Sequence, residues 1–252
     1  MIFQARPNPI EEFLVVLGFW DHLLPGFLIM LWLYGLALVM GFFLGLILAI
    51  LRQYGGRIFS RVATVYIEIV RGTPLVAQLL LLFYLPTSLN IPITAWKLEV
   101  SLTLLDKDMT ITLLNQATLT GIITLGLNSA AYQAEYFRGA ILSVGDGQII
   151  AAQSLGMSRF SGIYHIVLPQ TLRRVIPSWS NEAAYLPKYT VVVYFIGVKE
   201  LFREAYYIIT NPYISANPLT VYIVIAIIFL IMISLITKGL DILHKRTGIP
   251  GL

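Results

Sequence analysis

LLPGFLIMLWLYGLALVMGFFLGLILAIL, from Leu23 to Leu51, runs for 29 residues without a charge. About 20 apolar residues cross the hydrocarbon core of a bilayer. The run therefore predicts one tilted membrane helix with an entry segment at Pro25-Gly26. The rest of the chain agrees. Of 252 residues, 58% are hydrophobic and 12% charged, about half the charged share of an ordinary soluble domain. Mean hydropathy is +0.80. So few charges cannot coat a soluble core, whereas lipid solvates an apolar exterior. The same composition excludes disorder. With no cysteine in the chain, disulfides, Cys-ligated zinc, iron–sulfur clusters and thiol catalysis are excluded.

Outward from this run the chain alternates apolar stretches and charged connectors. Met1 to His22 carries Glu11, Glu12 and Asp21 against Arg6 and lacks the pattern of a signal peptide. Further apolar stretches follow at 62–85, 109–134, 175–198 and 205–237, with Pro218 setting the helical start of the last near Leu219. Five spans result. Arg52, Arg57, Arg61, Arg138, Arg159, Arg173, Arg174, Lys238, Lys245 and Arg246 then share one side, opposed only by Asp146 and Asp241. The positive-inside rule puts that side in the cytoplasm, with the N-terminus out and the C-terminus in. The expected fold is all-α, a polytopic bundle of about five transmembrane helices. Its parts are an outer segment (1–22), a membrane domain (23–244, with a cytoplasmic loop at 145–169) and a tail (245–252) in the cytoplasmic (inner) membrane.

The loop reads Gly145-Asp-Gly-Gln-Ile-Ile-Ala-Ala-Gln-Ser-Leu-Gly-Met-Ser-Arg-Phe-Ser-Gly-Ile-Tyr-His-Ile-Val-Leu-Pro169. It predicts two short helices: Asp146 caps the first and Gly156 ends it, Ser158 caps the second and Pro169 stops it. Ala151 and Ala152 offer a smooth face for a partner. Two plainer readings stand beside this one: a surface helix pair joining two spans, and a DNA-binding helix–turn–helix. The tethering and the single basic residue, Arg159, argue against the second.

Ala-Ala, three residues, Gly156, nine residues and Ile166-x-Leu168-Pro169 resemble the EAA loop of ABC importer permeases. Tyr66-Ile-Glu-Ile-Val-Arg-Gly-Thr-Pro-Leu75, Leu127-Asn-Ser-Ala-Ala-Tyr-Gln-Ala-Glu-Tyr-Phe-Arg-Gly139, Leu168-Pro-Gln-Thr-Leu-Arg173 and Ile196-Gly-Val-Lys-Glu-Leu201 resemble signatures of the polar amino-acid permease subfamily, in the same order. The resemblance implies that the loop is a coupling helix docking in a groove of an ATPase subunit, with Ile150, Ala151, Ala152, Gly156, Ser158 and Arg159 at the contact. It implies two such ATPases holding ATP and Mg, a second permease chain (identical or homologous), an extracytoplasmic solute-binding protein, and a small polar solute of the amino-acid class. This chain has no Gly-Lys dipeptide and hence no P-loop, so no catalysis, cofactor or metal is expected in it. Two positions depart from the family pattern. Ile150 stands where the family has Glu, which makes the partner's groove more apolar there. Lys188-Tyr189 replaces Lys-Asp, removing an acid that a basic amino acid would use.

Ionisable groups inside spans are functional candidates. Glu68-x-x-Arg71-Gly and Glu135-x-x-Arg138-Gly repeat one unit, with acid and base at i, i+3 able to pair. Such pairs either brace helix ends or form a gate. Asn181, Tyr185 and Lys188, at i, i+4 and i+7, make one polar stripe beside Pro187, a pattern suited to a mid-membrane solute site. Lys188 meets either a solute carboxylate or an acid of a neighbouring helix. Asn128 and Tyr132 form a candidate opposite wall or simply pack. The scattered His22, His165 and His244 suggest no metal site, and the four tryptophans read as interface anchors or packing. The rivals to an ABC permease are a self-contained secondary transporter, using Glu68, Glu135 or Glu182 for a proton or sodium ion, and a membrane subunit that transports nothing. No nucleic-acid partner is expected.

Overall fold

A computed structural model describes residues 8–91, 96–214 and 216–247. Arg6, Pro92 and the last five tail residues lie outside the described residues. The chain is mostly helical: α1 (Pro9–Gly18), α2 (Trp20–Tyr54), α3 (Arg57–Gly72), α4 (Leu75–Ser88), α5 (Gln116–Val144), α6 (Gly147–Ser154), α7 (Arg159–Gly162), α8 (Leu168–Arg174), α9 (Ile176–Tyr189), α10 (Leu201–Thr210) and α11 (Pro218–Thr247). A π turn (Ile163–Val167) joins α7 to α8, and a 3-10 segment (Thr190–Ile196) continues α9.

The fold is not all-α. β1 (Leu98–Leu104) and β2 (Lys107–Leu114) form an antiparallel hairpin with Val100 opposite Ile111 and Leu102 opposite Met109. Leu105 and Asp106 turn it with φ of +49° and +59°, the backbone of a two-residue hairpin turn that follows strand twist. Alternation explains the strands: Val100, Leu102 and Leu104 interleave with Glu99, Ser101 and Thr103. Consequently the uncharged stretch at 109–134 is not one helix. Met109 and Ile111 are buried strand residues, and helix begins only at Gln116.

Among the described residues, two helices are long and apolar enough to cross a membrane, α2 and α11, the latter counted over Pro218–Lys245. A third candidate is the broken pair α3 and α4, bent by 107°. The break falls at Thr73-Pro74, where Thr73 is extended (φ −116°, ψ 148°); the residue before a proline avoids helical backbone.

The chain divides into two compact units, residues 1–35, 75–124 and 187–234 in one, 36–74, 125–186 and 235–252 in the other. In the first unit the hairpin is pinned to α2. Lys107 Nζ donates to Asp21 Oδ1 at 2.7 Å and to the Gly18 carbonyl at 3.1 Å, while Trp32 Nε1 donates to the Leu113 carbonyl at 3.0 Å. Helix α10 presses on α2 at Gly26, where a Cβ would lie 3.0 Å from the Leu201 backbone. Fully buried Glu200 caps α10 by accepting from the Phe202 and Arg203 amides at 2.8 Å each. Burial pushes its carboxyl up to about 7, against those two amides. Pro187 cannot donate to the helical ladder, and the chain tightens to the 3-10 segment until Gly197, at φ +81°.

In the second unit Ala49, Phe137, Ala140, Ile141, Ile149, Val167 and Val175 form one buried cluster. Leu48, Ala63, Ile67, Ala130 and Ala134 form another. Small residues let helices approach closely in lipid. At Gly45 a Cβ would sit 2.9 Å from the Ala130 carbonyl oxygen.

Candidate functional site

The 145–169 loop folds as the helix pair its sequence predicts, with local differences. Asp146 occupies the cap position of α6, but its side chain makes no cap hydrogen bond. Gly156 has φ +84°, and the Met157 amide reaches back to the Ala152 carbonyl at 3.1 Å, the long-range bond of a left-handed helix stop. Ser158 caps α7 by accepting from the Ser161 amide at 3.2 Å.

Pro169 does not stop the second helix. The backbone stays helical through the π turn into α8, and Pro169 falls in the first turn of α8. In the π turn the Leu168 amide bonds Ile163 five residues back. That extra residue shifts the ladder where the proline has no donor to give.

Ala151 and Ala152 do not share a face. Ala152 is buried, 3.2 Å from where a Gly162 Cβ would lie, and packs α6 against α7. Ala151 is exposed. The outward surface is instead apolar and aromatic: Ile150, Leu155, Phe160 and Tyr164 are 57–82% exposed. Phe160 stacks on Tyr164 with ring centroids 6.4 Å apart, and the Arg159 guanidinium lies 5.9 Å from the Tyr54 ring.

The two Glu-x-x-Arg-Gly units behave differently. Glu135 and Arg138 pair as predicted, Arg138 Nε and Nη2 donating to Glu135 Oε2 at 3.0 and 2.9 Å. Glu68 does not pair with Arg71. It accepts from Arg52 Nη2 at 3.4 Å, and Arg52 Nη1 also donates to Glu135 Oε1. Arg52, read from the sequence only as an inner-surface charge, thus joins α2, α3 and α5. Its contacts with Glu68 and Glu135 span 16 and 83 positions, so no helical spacing announces them. Arg71 stands over the Tyr132 ring at 5.3 Å.

Of the predicted solute contacts, Asn128 is buried and Tyr132 half-buried, one turn apart on α5. Asn181 and Tyr185 are exposed on α9, and so is Lys188. Lys188 belongs to the first unit and the other four to the second. Glu182, beside the stripe, is turned inward. It accepts from Ser129 Oγ at 2.6 Å; Ser129 accepts from Gln133 Nε2 at 2.9 Å; Gln133 Oε1 accepts from Trp179 Nε1 at 2.7 Å. Gln133 also donates to the Leu38 carbonyl at 3.3 Å. This chain of bonds ties α2, α5 and α9 together. Ser129 and Gln133 were missed in the sequence, although their i, i+4 spacing in an apolar helix signals a shared buried face. His22, the other overlooked pairing, lies 3.0 Å from Glu204 Oε2. Among the described residues no group of acids and histidines could hold a metal ion.

The profile of a protein family described as "Binding-protein-dependent transport system inner membrane component" matches residues 41–248. The chain is 32% identical over 228 residues to the glutamine transport system permease protein GlnP of Escherichia coli K12, covering 90% of this chain and 93% of that protein. It is 32% identical over 216 residues to the L-cystine transport system permease protein TcyL of Bacillus subtilis, covering 86% and 83%. Its structure is similar to a crystallised amino acid ABC transporter with histidines, with TM-score 0.75 and 29% identity over 93% of this chain and 98% of that one.

Proposed function

Because this chain belongs to the family of binding-protein-dependent transport system inner membrane components, we propose that it moves amino acids or similar small polar solutes by alternating access. It is the inner-membrane permease subunit of an ABC importer. The single observation carrying the reading of mechanism is the helix pair at 145–169, with its outward Ile150, Leu155, Phe160 and Tyr164. A bare connector between spans gains nothing from large apolar side chains in water. An amphipathic helix laid in a partner's groove does.

On this reading two ATPase subunits, holding ATP and Mg, take that face through Ile150, Ala151, Gly156, Ser158 and Arg159, with Ala152 holding the pair together. Exposed Ile150 suits an apolar groove. Hydrolysis takes place in those partners, and this chain performs no chemistry on the solute. A solute-binding protein delivers solute on the outer side, and a second permease chain completes the path. Asn128, Tyr132, Asn181 and Tyr185, all of the second unit, contact the solute on its way, and Lys188, of the first unit, is a solute contact in its own right. Arg52, Glu68, Glu135 and Arg138 brace the helices near the inner surface.

The test is purification of the chain from its own membranes in mild detergent, followed by reconstitution into vesicles. An ATPase should copurify, and uptake of labelled L-glutamine, L-arginine or L-cystine should require ATP. Uptake driven by a proton or sodium gradient without an ATPase would establish the secondary-transporter alternative.

A further inference from the structure

We propose that His22 is a positioning residue for import: its proton sets how firmly α10 is held on the outer end of α2, and uptake follows the pH of the outer solution, an inference that rests on the alternating-access reading above. α10 is fastened to α2 at two neighbouring points. At Gly26 the helices touch so closely that a Cβ would lie 3.0 Å from both the Leu201 backbone and Glu204 Cγ. One turn earlier on α2, His22 Nδ1 lies 3.0 Å from Glu204 Oε2, and its ring centroid lies 4.7 Å from that of Tyr207. His22 with Gly26, at i and i+4, and Glu204 with Tyr207, at i and i+3, each share one helix face. The Glu204 side chain is 11% exposed and that of His22 36%. Protons from water therefore reach the imidazole while the carboxylate stays covered.

The other charges nearby are committed elsewhere. On α2 itself Asp21 accepts from Lys107 of the hairpin at 2.7 Å. On α10 Arg203 stands over the Tyr194 ring at 5.2 Å. Glu12 of α1 accepts from Thr220 Oγ1 of α11 at 2.7 Å. Glu200, fully buried, accepts the Phe202 and Arg203 amides. Among the described residues His22 is the one cationic group within ion-pair distance of Glu204, and it is charged only when protonated.

Imidazole is the side chain that changes charge between about pH 5 and 8. Neutral, with its proton on Nδ1, it donates an ordinary hydrogen bond to Glu204. Protonated, it makes the same contact an ion pair, and a charge-assisted bond to a covered carboxylate is the stronger one. Glu200, four residues from Glu204, acts in the same direction. Burial pushes its carboxyl up to about 7, against its two amide bonds, and the Glu204 charge adds to the rise. A carboxyl raised in this way stabilises its surroundings while it holds the proton, and that contribution fades as the pH climbs through about 7. Acid thus tightens the clasp through both groups. Alternating access requires outer elements to exchange contacts. A proton held more tightly while the clasp is closed favours the closed arrangement and slows the cycle.

The experiment uses the complex purified through a tag on this chain and reconstituted into vesicles, with ATP and a constant pH inside and the solute-binding protein outside. Uptake of whichever of labelled L-glutamine, L-arginine or L-cystine is transported is measured as the outer pH is stepped from about 8 to about 6. A nitroxide on a single cysteine at Thr210, at the exposed end of α10, reports how firmly that helix is held. In the unsubstituted complex the label should lose mobility in acid and uptake should slow about fivefold, the scale that separates a neutral hydrogen bond from a charge-assisted one. His22→Gln keeps a donor and cannot be charged; Glu204→Gln removes the acceptor's charge. Each should bring the ratio of the two uptake rates below about twofold and flatten the response of the label. Effects of pH on the solute-binding protein are common to all three complexes and leave these differences intact. A response in assembled His22→Gln or Glu204→Gln equal to the unsubstituted one overturns the proposal. Loss of assembly in both variants also overturns it, because a contact that opens in each cycle is not one on which assembly depends; if only one assembles, its pH response decides. Absence of ATP-dependent uptake by the unsubstituted complex at every pH overturns the alternating-access reading itself, and this inference with it.

Discussion

Lysine in the middle of a span is expensive, about 2.5–3.5 kcal/mol on insertion scales, so Lys188 needs a compensating interaction. Its side chain is exposed, and a solute contact is the interaction we propose for it. Lys188→Met keeps most of the stem and deletes the ammonium. We expect at least a tenfold rise in half-saturating solute with ATP hydrolysis retained, the effect of losing a charge-assisted hydrogen bond of roughly 1.5–3 kcal/mol. A purely structural Lys188 would lower the yield of complex and leave uptake by the assembled fraction normal. At this scale sequence spacing served unevenly. It identified Glu135 with Arg138 because both lie on one helix. It misassigned Glu68, because the competing Arg52 comes from another helix and spacing within α3 carries no trace of it. Ala151 and Ala152 were misjudged for a simpler reason: consecutive helical residues point about 100° apart, so they cannot share a face.

Among the elements, the helix pair at 145–169 depends on one backbone conformation. Gly156 has φ +84°, and nothing lies within 4 Å of where a Cβ would be. The obstacle to another residue is therefore backbone strain and not crowding. A β-branched residue in that region costs on the order of 1–3 kcal/mol, and the turn would relieve it by re-aiming α7. Gly156→Val should insert in the membrane normally and lose ATP-dependent uptake, while vesicle binding of the solute-binding protein is kept. Wild-type uptake at equal expression would remove the coupling role from this turn. The hairpin teaches a different point about elements. Its alternation was present in the letters, but Met109 and Ile111 merged with the uncharged stretch that follows, and hydropathy alone does not separate a buried strand from the start of a span.

For the whole molecule, charge asymmetry gives the orientation we propose: five passages, N-terminus out, C-terminus in. Single cysteines suit the test because the chain has none of its own. Cysteine at Ser158 should react with an impermeant reagent only after the membrane is opened, and cysteine at Asn90 should react in intact cells. Both positions are exposed. Labelling of position 158 from outside would reverse or abolish the topology. The same frame explains why α2 is so long. Its 35 residues reach about 52 Å, well beyond a core of about 30 Å. On the proposed orientation, with its inner end at Arg52, the turns near Asp21 would stand clear of lipid; the hairpin packs there through Lys107 and α10 through Glu204.

The sequence by itself determined the membrane class, the charge bias and the helix pair at 145–169, together with the family they identify. These follow from composition and from short-range pattern, which lipid and helical geometry translate directly into structure. Only the tertiary structure decided which acid meets which base, that Glu182 turns inward to Ser129 while Lys188 faces out, that Pro169 is absorbed by a π turn, and that residues 98–114 pair as strands. Those outcomes rest on contacts between residues far apart in the chain. Where several partners compete for one side chain, the nearest in sequence does not always win, and Arg71, left without Glu68, is the consequence of that competition.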